Sequence, residues 1–403
     1  MTGPAPGNPL GAGAELTAET SPAAGDQLAG GELIAQPEPT TRTPPGTPGG
    51  APASDGRRRV EREEGPRPSA AEWDAAVSAL RGLPAGARVL LACHVNPDGD
   101  ALGSMLAVGL GLRQVAPELA VTATFPGPME VPPPFDRLPG VELLVDAAVA
   151  DPAPDAVLVF DVASIERLGG LAERLRAAPV GIVLDHHASN PLFGQLNLVD
   201  PTAAATSVLS EGLLRRLGVQ LDPDIAECLY VALATDTGSF KFASTTPAVH
   251  ELAARLIATG IPVGDISRRL FDTRPIGALR LFGHALARAV LEPEAAGGLG
   301  MVWTYVTLDE LAAHGQPPAA VEALIDSVRC AAEADVACVV KPVRPGEWSV
   351  SLRSKGGVDV SAVAVALGGG GHRFAAGFSA GGTVEEILAS IRIRVNSGPI
   401  PGP

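Results

Sequence analysis

Four apolar runs in this 403-residue chain each end in a carboxylate or an imidazole. Arg88 to Cys93 leads into His94, Asn96, Pro97, Asp98, Gly99 and Asp100; Val157 to Phe160 leads into Asp161; Gly181 to Leu184 leads into Asp185, His186 and His187; Val231 to Thr235 leads into Asp236. Charged side chains are seldom buried unless paired or metal-bound, so four such deliveries are hard to assign to core packing. Apolar runs bounded by glycine and turn residues read as buried strands feeding loops. In open α/β sheets the edge beyond the carboxyl ends of the strands is where ligands bind. The 94–100 loop, rich in oxygen donors with a single His, favours a hard divalent ion, Mn²⁺ or Mg²⁺, over a structural zinc. For that loop alone the alternative is a solvated Pro-Asp-Gly turn.

Around these runs the pattern alternates between strand and helix. Ser69 and Glu72 have capping-box spacing, and Trp73, Val77 and Leu80 follow at helical intervals, so the globular part begins there. Strands are expected at 88–93, 120–125, 157–161 and 181–185, with helices over 101–115, 165–178, 202–217, 222–235, 247–259, 263–270 and 276–290. This alternation argues for a parallel, doubly wound sheet. Residues 292–300, with three Gly and a Pro, read as a linker. Beyond it the pattern restarts, with strands at 301–306, 335–343 and 347–353, helices at 318–332 and 360–367, the glycine run 368–371, a strand through Phe378, and a last helix capped by Thr383 and Glu386. The chain thus divides into a low-complexity tail over 1–68, a first α/β domain over 69–272, a connecting helix and linker over 273–300, and a smaller α/β domain over 301–395.

The tail holds 24 Gly and Pro, a share at which an aperiodic segment reads as low-complexity, and the charged run 57–64 within it reads as a solvated cluster. Residues 69–298 carry 26 acidic against 16 basic side chains. An acidic excess around the Asp cluster argues against a surface that grips long duplex nucleic acid, which needs a basic stripe, and is compatible with a carboxylate cage charged by metal. Cys93, Cys228, Cys330 and Cys338 are scattered without a CxxC pair and read as small buried hydrophobes, which fits a reducing cytoplasm. No apolar run approaches the ~20 residues of a membrane span, and no basic segment followed by an apolar one opens the chain.

Were the ligand an anion such as a phosphate, the acidic first domain could not hold it without metals. The second supplies candidates: Arg353 at a strand end, which can make a bidentate phosphate contact, with Ser354 and Lys355 beside it. The amides of Gly369, Gly370 and Gly371 are expected to form an anion-binding nest ending in His372. No GxxxxGK[ST] P-loop is present, and the glycines come too late for a dinucleotide-binding turn. Aromatic residues are only 4% of the chain, so a long single-strand channel built on stacking platforms is not expected and short substrates follow.

The string His94-x-Asn96-Pro97-Asp98-x-Asp100, with Asp161, Asp185-His186-His187, Asp236 and the glycine run ending in His372 before Ala375-Ala376-Gly377, resembles the DHH phosphoesterase family over about 69–395. The C-terminal part resembles its DHHA1 substrate-binding domain, and the size looks most like the nanoRNase/pAp phosphatases. The resemblance implies two Mn²⁺, or Mg²⁺, ions in the cleft between domains. It puts His94, Asp98 and Asp161 on one ion and Asp100, Asp161, His186 and Asp236 on the other, with Asp161 shared. Asp185 would orient a histidine, and His187 would face the substrate or the bridging water. The implied reaction is hydrolysis of very short RNA oligonucleotides and adenosine 3′,5′-bisphosphate by a two-metal activated water. Two alternatives stand beside it: a phosphodiesterase for cyclic or linear dinucleotides, and a nucleotide sensor that kept the fold without turnover. The resemblance also implies a homodimer, which nothing in the spacing shows.

Overall fold

The first sheet is built from five parallel strands: β1 (Arg88–Cys93), β2 (Ala120–Thr124), β3 (Ala156–Phe160), β4 (Val180–Asp185) and β5 (Leu196–Val199), in the order β2-β1-β3-β4-β5. The computed structural model describes residues 67–397, so the readings made on the tail lie outside the described residues except at its last two positions. Helices α1 (Ala70–Arg81), α2 (Gly99–Val115), α3 (Leu171–Ala177), α4 (Thr206–Leu217), α5 (Pro223–Asp236), α6 (Pro247–Ile257) and α7 (Val263–Ser267) surround this sheet.

Successive strand residues point to opposite faces. Val89, Leu91, Leu158 and Phe160 therefore pack with Met105, Leu106, Leu213 and Leu229 on one side. Leu90, Ala92, Val157 and Val159 pack with Leu168, Leu171 and Leu175 on the other. Because both faces are covered, the central strands β1, β3 and β4 are near-continuous apolar runs. The strand order reverses between β1 and β3, which opens a crevice beyond their carboxyl ends.

The second sheet has six strands: β6 (Val290–Glu292), β7 (Met301–Tyr305), β8 (Val336–Arg344), β9 (Glu347–Ser354), β10 (Gly370–His372) and β11 (Ala375–Gly381). Their order is β10-β11-β9-β8-β7-β6, antiparallel except between β7 and β8. Its helices are α8 (Ile276–Ala287), α9 (Ala295–Gly298), α10 (Leu308–Ala313), α11 (Leu324–Val328), α12 (Val360–Ala366) and α13 (Val384–Ser397). Val350, Leu352 and Phe378 pack towards α12 and α13, while Val302, Ala337 and Val339 pack towards α8, α10 and α11. The fold is thus a doubly wound parallel α/β unit followed by a smaller mixed α/β unit.

Several elements differ from the sequence pattern. Strand β5 was not expected; it is four residues long, and Asn197 interrupts its apolar character. The expected helix over 276–290 stops at Ala287, because Val290 pairs with Trp303 in the second sheet. Glu292 is no linker residue: its carboxylate accepts from Trp303 Nε1 at 2.6 Å and from Arg392 Nη2 at 2.6 Å. The expected helix over 318–332 is a 3₁₀ turn, Pro318–Val321, followed by the short α11, with Glu322 and Ala323 between. Likewise the helix expected over 165–178 breaks at Gly169 and Gly170, and that over 263–270 widens into a π-turn at Arg268–Asp272. All four cysteines are free, three of them buried, and no helix among the described residues is long and apolar enough to cross a membrane.

Helix α2 is buried along nearly its whole length and crosses α5 closely at Gly103. A Cβ at that position would lie 2.4 Å from the Cys228 carbonyl oxygen and 2.9 Å from Ala232 Cβ. Backbone cannot yield as a flexible side chain can, so the helices must separate. Gly103→Ala is expected to cost about 1–3 kcal/mol, read as a lowered urea midpoint with an unchanged slope.

Candidate metal centre

The crevice between β1 and β3 collects the donors. β1 ends at Cys93 and presents His94; Asp98 caps α2, its Oδ1 accepting from the amides of Asp100 at 3.1 Å and Ala101 at 3.0 Å. Asp100 lies in the first turn of α2. Asp161 follows β3 directly, with a backbone φ of 58°, a left-handed conformation that Asp tolerates better than most residues. β4 ends at Asp185 and delivers His186 and His187, while α5 ends at Asp236.

Two groups form around Asp161. His94 Nε2 lies 3.6 Å from Asp161 Oδ2 and 3.9 Å from Asp98 Oδ1. His186 Nε2 lies 3.5 Å from Asp161 Oδ1, 3.5 Å from Asp236 Oδ2 and 3.7 Å from Asp100 Oδ2. Each oxygen of Asp161 therefore faces a different imidazole. The distances are too long for hydrogen bonds. They suit donors sharing an ion, since two ligands held about 2.1 Å from one cation sit from about 3 Å apart at a right angle to about 4.2 Å when opposite. His94, Asp98 and Asp161 on one side and Asp100, His186 and Asp236 on the other each bring three donor atoms within 4.8 Å of one another.

The electrostatics point the same way. Burial pushes the Asp100 carboxyl well above its ordinary range, and the charges of Asp161 and Asp236 push it further. Burial also takes Asp236 up to about 6, although His186 draws it down. Burial works against ionisation of Asp161 too, but the contacts with His186 and His94 outweigh it and hold that carboxyl well below its usual value. Burial disfavours a charged His186, yet Asp236, Asp161 and Asp100 keep its imidazolium well above the ordinary value. The cluster thus draws positive charge onto the one nitrogen at its centre. A divalent cation meets that demand with oxygen and imidazole donors of the right type.

Asp185 is wholly buried and orients a neighbour: its Oδ1 lies 2.7 Å from His187 Nδ1, and its Oδ2 accepts from Asn190 Nδ2 at 2.7 Å. The ring of His372, at the end of β10, stacks on that of His187 with centroids 4.5 Å apart and planes at 17°. Burial, with the imidazoles of His186 and His187 beside it, pushes His372 down to about 2, so it stays neutral. Arg353 belongs to the same neighbourhood. Its half-buried guanidinium, lowered by burial and raised by Asp326, also feels Asp236, and it donates to the Leu352 carbonyl at 3.0 Å.

The second-domain candidates are partly engaged within the fold. Ser354 Oγ donates to Asp335 at 2.7 Å and Lys355 Nζ to the Ala331 carbonyl, so both bond to the segment that leads into β8. Nor do the glycine amides form an open nest. Gly368 donates to Val365 O at 3.1 Å and Gly369 to Ala364 O at 2.8 Å, closing the end of α12, while Gly370 and Gly371 join the β10–β11 ladder.

The geometry can be set beside known proteins. Residues 88–233 match the DHH family, N-terminal domain, and residues 303–396 match the DHHA1 domain. A bifunctional oligoribonuclease and PAP phosphatase NrnA of Thermus thermophilus is 34% identical over 313 residues, which cover 75% of this chain and 89% of that protein. The chain belongs to the DHH family. A bifunctional oligoribonuclease and PAP phosphatase NrnA of Bacillus subtilis is 27% identical over 75% of this chain and 93% of its own length. The crystal structure of an exopolyphosphatase-related protein from Bacteroides fragilis shares the fold, with a TM-score of 0.72 at 23% identity, covering 81% of this chain and 96% of that one.

Sequence reasoning missed the residues that support this DHH cluster. Arg167 Nη2 lies 2.9 Å from His94 Nδ1, and Ser104 Oγ donates to Asp100 at 2.9 Å. Only Ser104 carried a signal, being one helical turn beyond Asp100. Arg329 stacks over Phe242, bringing the second domain against the loop that follows Asp236 at a centroid distance of 4.7 Å.

Adding Mn²⁺ to metal-free protein is expected to raise its thermal midpoint by a few degrees, corresponding to about 2.7 kcal/mol at 100 times Kd. EDTA reverses the shift, and Asp161→Ala removes most of it in the same scanning-fluorimetry measurement.

Proposed function

We propose that this chain is a manganese-dependent phosphoesterase that hydrolyses very short RNA oligonucleotides and adenosine 3′,5′-bisphosphate. The observation that carries the reading is Asp161, each of whose oxygens faces a different imidazole, at 3.5 and 3.6 Å. Membership in the DHH family and relatives named as bifunctional oligoribonuclease and PAP phosphatase support the substrate class.

In this reading His94, Asp98 and Asp161 hold one ion, and Asp100, Asp161, His186 and Asp236 the other. The bound pair supplies a water activated near neutral pH and charge stabilisation for an in-line phosphoryl transition state. The protein's own groups do the rest. Asp185 accepts a hydrogen bond from His187 Nδ1, which leaves the Nε2 lone pair of that ring to accept a proton from the reacting water. His372, kept neutral and stacked on His187, closes the cluster from the second sheet. Arg353 makes no ion pair within 4 Å among the described residues, so most of its donors are available to a substrate phosphate. Asp161 and Arg353 are set on opposite sheets, so the substrate lies between the domains. That span suits a ligand of a few nucleotides. We place the activity in the reducing cytoplasm, where four free cysteines are stable.

The test is a metal-controlled assay on adenosine 3′,5′-bisphosphate, on di- to pentanucleotide RNAs and on a cyclic dinucleotide. Asp161→Ala is expected to abolish phosphate release from every substrate. Arg353→Ala is expected to lower kcat/KM by about 10–100-fold, the loss of a charged hydrogen bond. Turnover that survives both chelator and Asp161→Ala would overturn the mechanism. A cyclic dinucleotide hydrolysed faster than the other substrates would overturn the substrate assignment.

A further inference from the structure

The N-terminus of α4 touches both halves of the cluster through one residue. Thr206 is fully buried. Its amide donates to Asp100 Oδ2 at 2.6 Å, and its hydroxyl donates to Asp161 Oδ1 at 3.1 Å. The Ser207 amide and Ser104 Oγ donate to the other oxygen of Asp100, at 3.1 and 2.9 Å. Asp100 is thereby fixed from three directions, with its remaining lone pairs left for an ion shared with His186 and Asp236.

Asp161 is in a different position. Three imidazoles face it, each between 3.5 and 3.6 Å from one of its oxygens. Beside them, the Thr206 hydroxyl is the side-chain donor at hydrogen-bond distance among the described residues. A carboxylate that must turn one oxygen to each of two ligand groups needs its rotation about Cβ–Cγ set by something outside both groups. The hydroxyl of Thr206 does this. Its β-branched side chain, packed at the helix start, has little rotamer freedom of its own.

We infer that Thr206 is a positioning residue for the metal centre, coupling its two halves by holding Asp100 through the backbone and Asp161 through the hydroxyl. The inference rests on the two-ion reading above. Hydrogen-bond partners of metal ligands typically account for 10–100-fold in metal affinity, and Thr206 is a partner of two ligands at once.

Mn²⁺ titration of metal-free protein by calorimetry, with the thermal midpoint of the metal-free form measured alongside, tests it. Thr206→Val keeps the shape and the amide but removes the hydroxyl. It is expected to bind Mn²⁺ about 10–100-fold more weakly with the metal-free midpoint little changed. Thr206→Ser, which restores the hydroxyl, is expected to return most of the affinity. Ser210→Ala, one turn further along α4 where a buried hydroxyl has no partner, is expected to bind as wild type does. Wild-type affinity in Thr206→Val would overturn the role given to Thr206 alone, and so would a Thr206→Ser variant as weak as Thr206→Val. A wild-type protein that takes up no Mn²⁺ would overturn the two-ion reading, and this inference with it.

Discussion

Concentrated negative charge in an apolar crevice is the constraint to which the rest of this molecule answers. Asp100 and Asp161 are both buried within a few ångströms of Asp236, at the end of a sheet whose central strand β3 is wholly apolar. Left to themselves such groups repel, and the cost of removing each from water is several kcal/mol. The chain meets this cost locally, with α4 amides on Asp100, α2 amides on Asp98, and imidazoles between the carboxylates. What remains is a demand for cationic charge, and that demand is the physical content of the metal assignment.

The fold can sustain this arrangement because of where the strand order reverses. β1 and β3 are neighbours with β2 and β4 outside them, so the loops leaving their carboxyl ends diverge and leave room for ligands. His94 and Asp161 come from those two loops, and His186 from the next strand along. The donors are thus fixed by backbone elements buried on both faces, and the positions of the two groups owe little to flexible side chains.

Much of this could be read from residues alone, because a buried parallel strand has an unambiguous signature and a charged residue at its end has few other uses. Asp185 illustrates both the reach and the limit. Its place beside a histidine was expected, whereas Asn190, which holds it from the other side, belongs to a loop with no periodicity to mark it. Thr206 and Arg167 were invisible for a similar reason: their meaning lies in contacts 45 and 73 residues away along the chain. In both sheets, tertiary pairing overrode local pattern at an edge. Val290 and Leu291 continue a helical rhythm but are drawn into a strand by β7, and the four-residue β5 exists only because β4 offers an edge.

The glycine run shows how a motif can be correctly located and wrongly explained. Read as loose amides, Gly368 to Gly371 suggest an anion nest; in the fold Gly368, Gly369 and Gly371 each answer a backbone or steric demand. Gly368 takes the left-handed conformation, with φ of 82°, that ends α12, and a Cβ on Gly369 would stand 2.1 Å from the Gly377 carbonyl oxygen. Gly371, at φ 136°, would place a Cβ 2.6 Å from the Ala375 carbonyl oxygen, across a hairpin with only Arg373 and Phe374 at its tip. Side chains at these points would prevent β10 from lying against β11. It is that close pairing which carries His372 out of the second sheet and onto the ring of His187. The glycines bear on the cluster through the placement of one imidazole, so side chains in their place would displace His372 from the ring of His187.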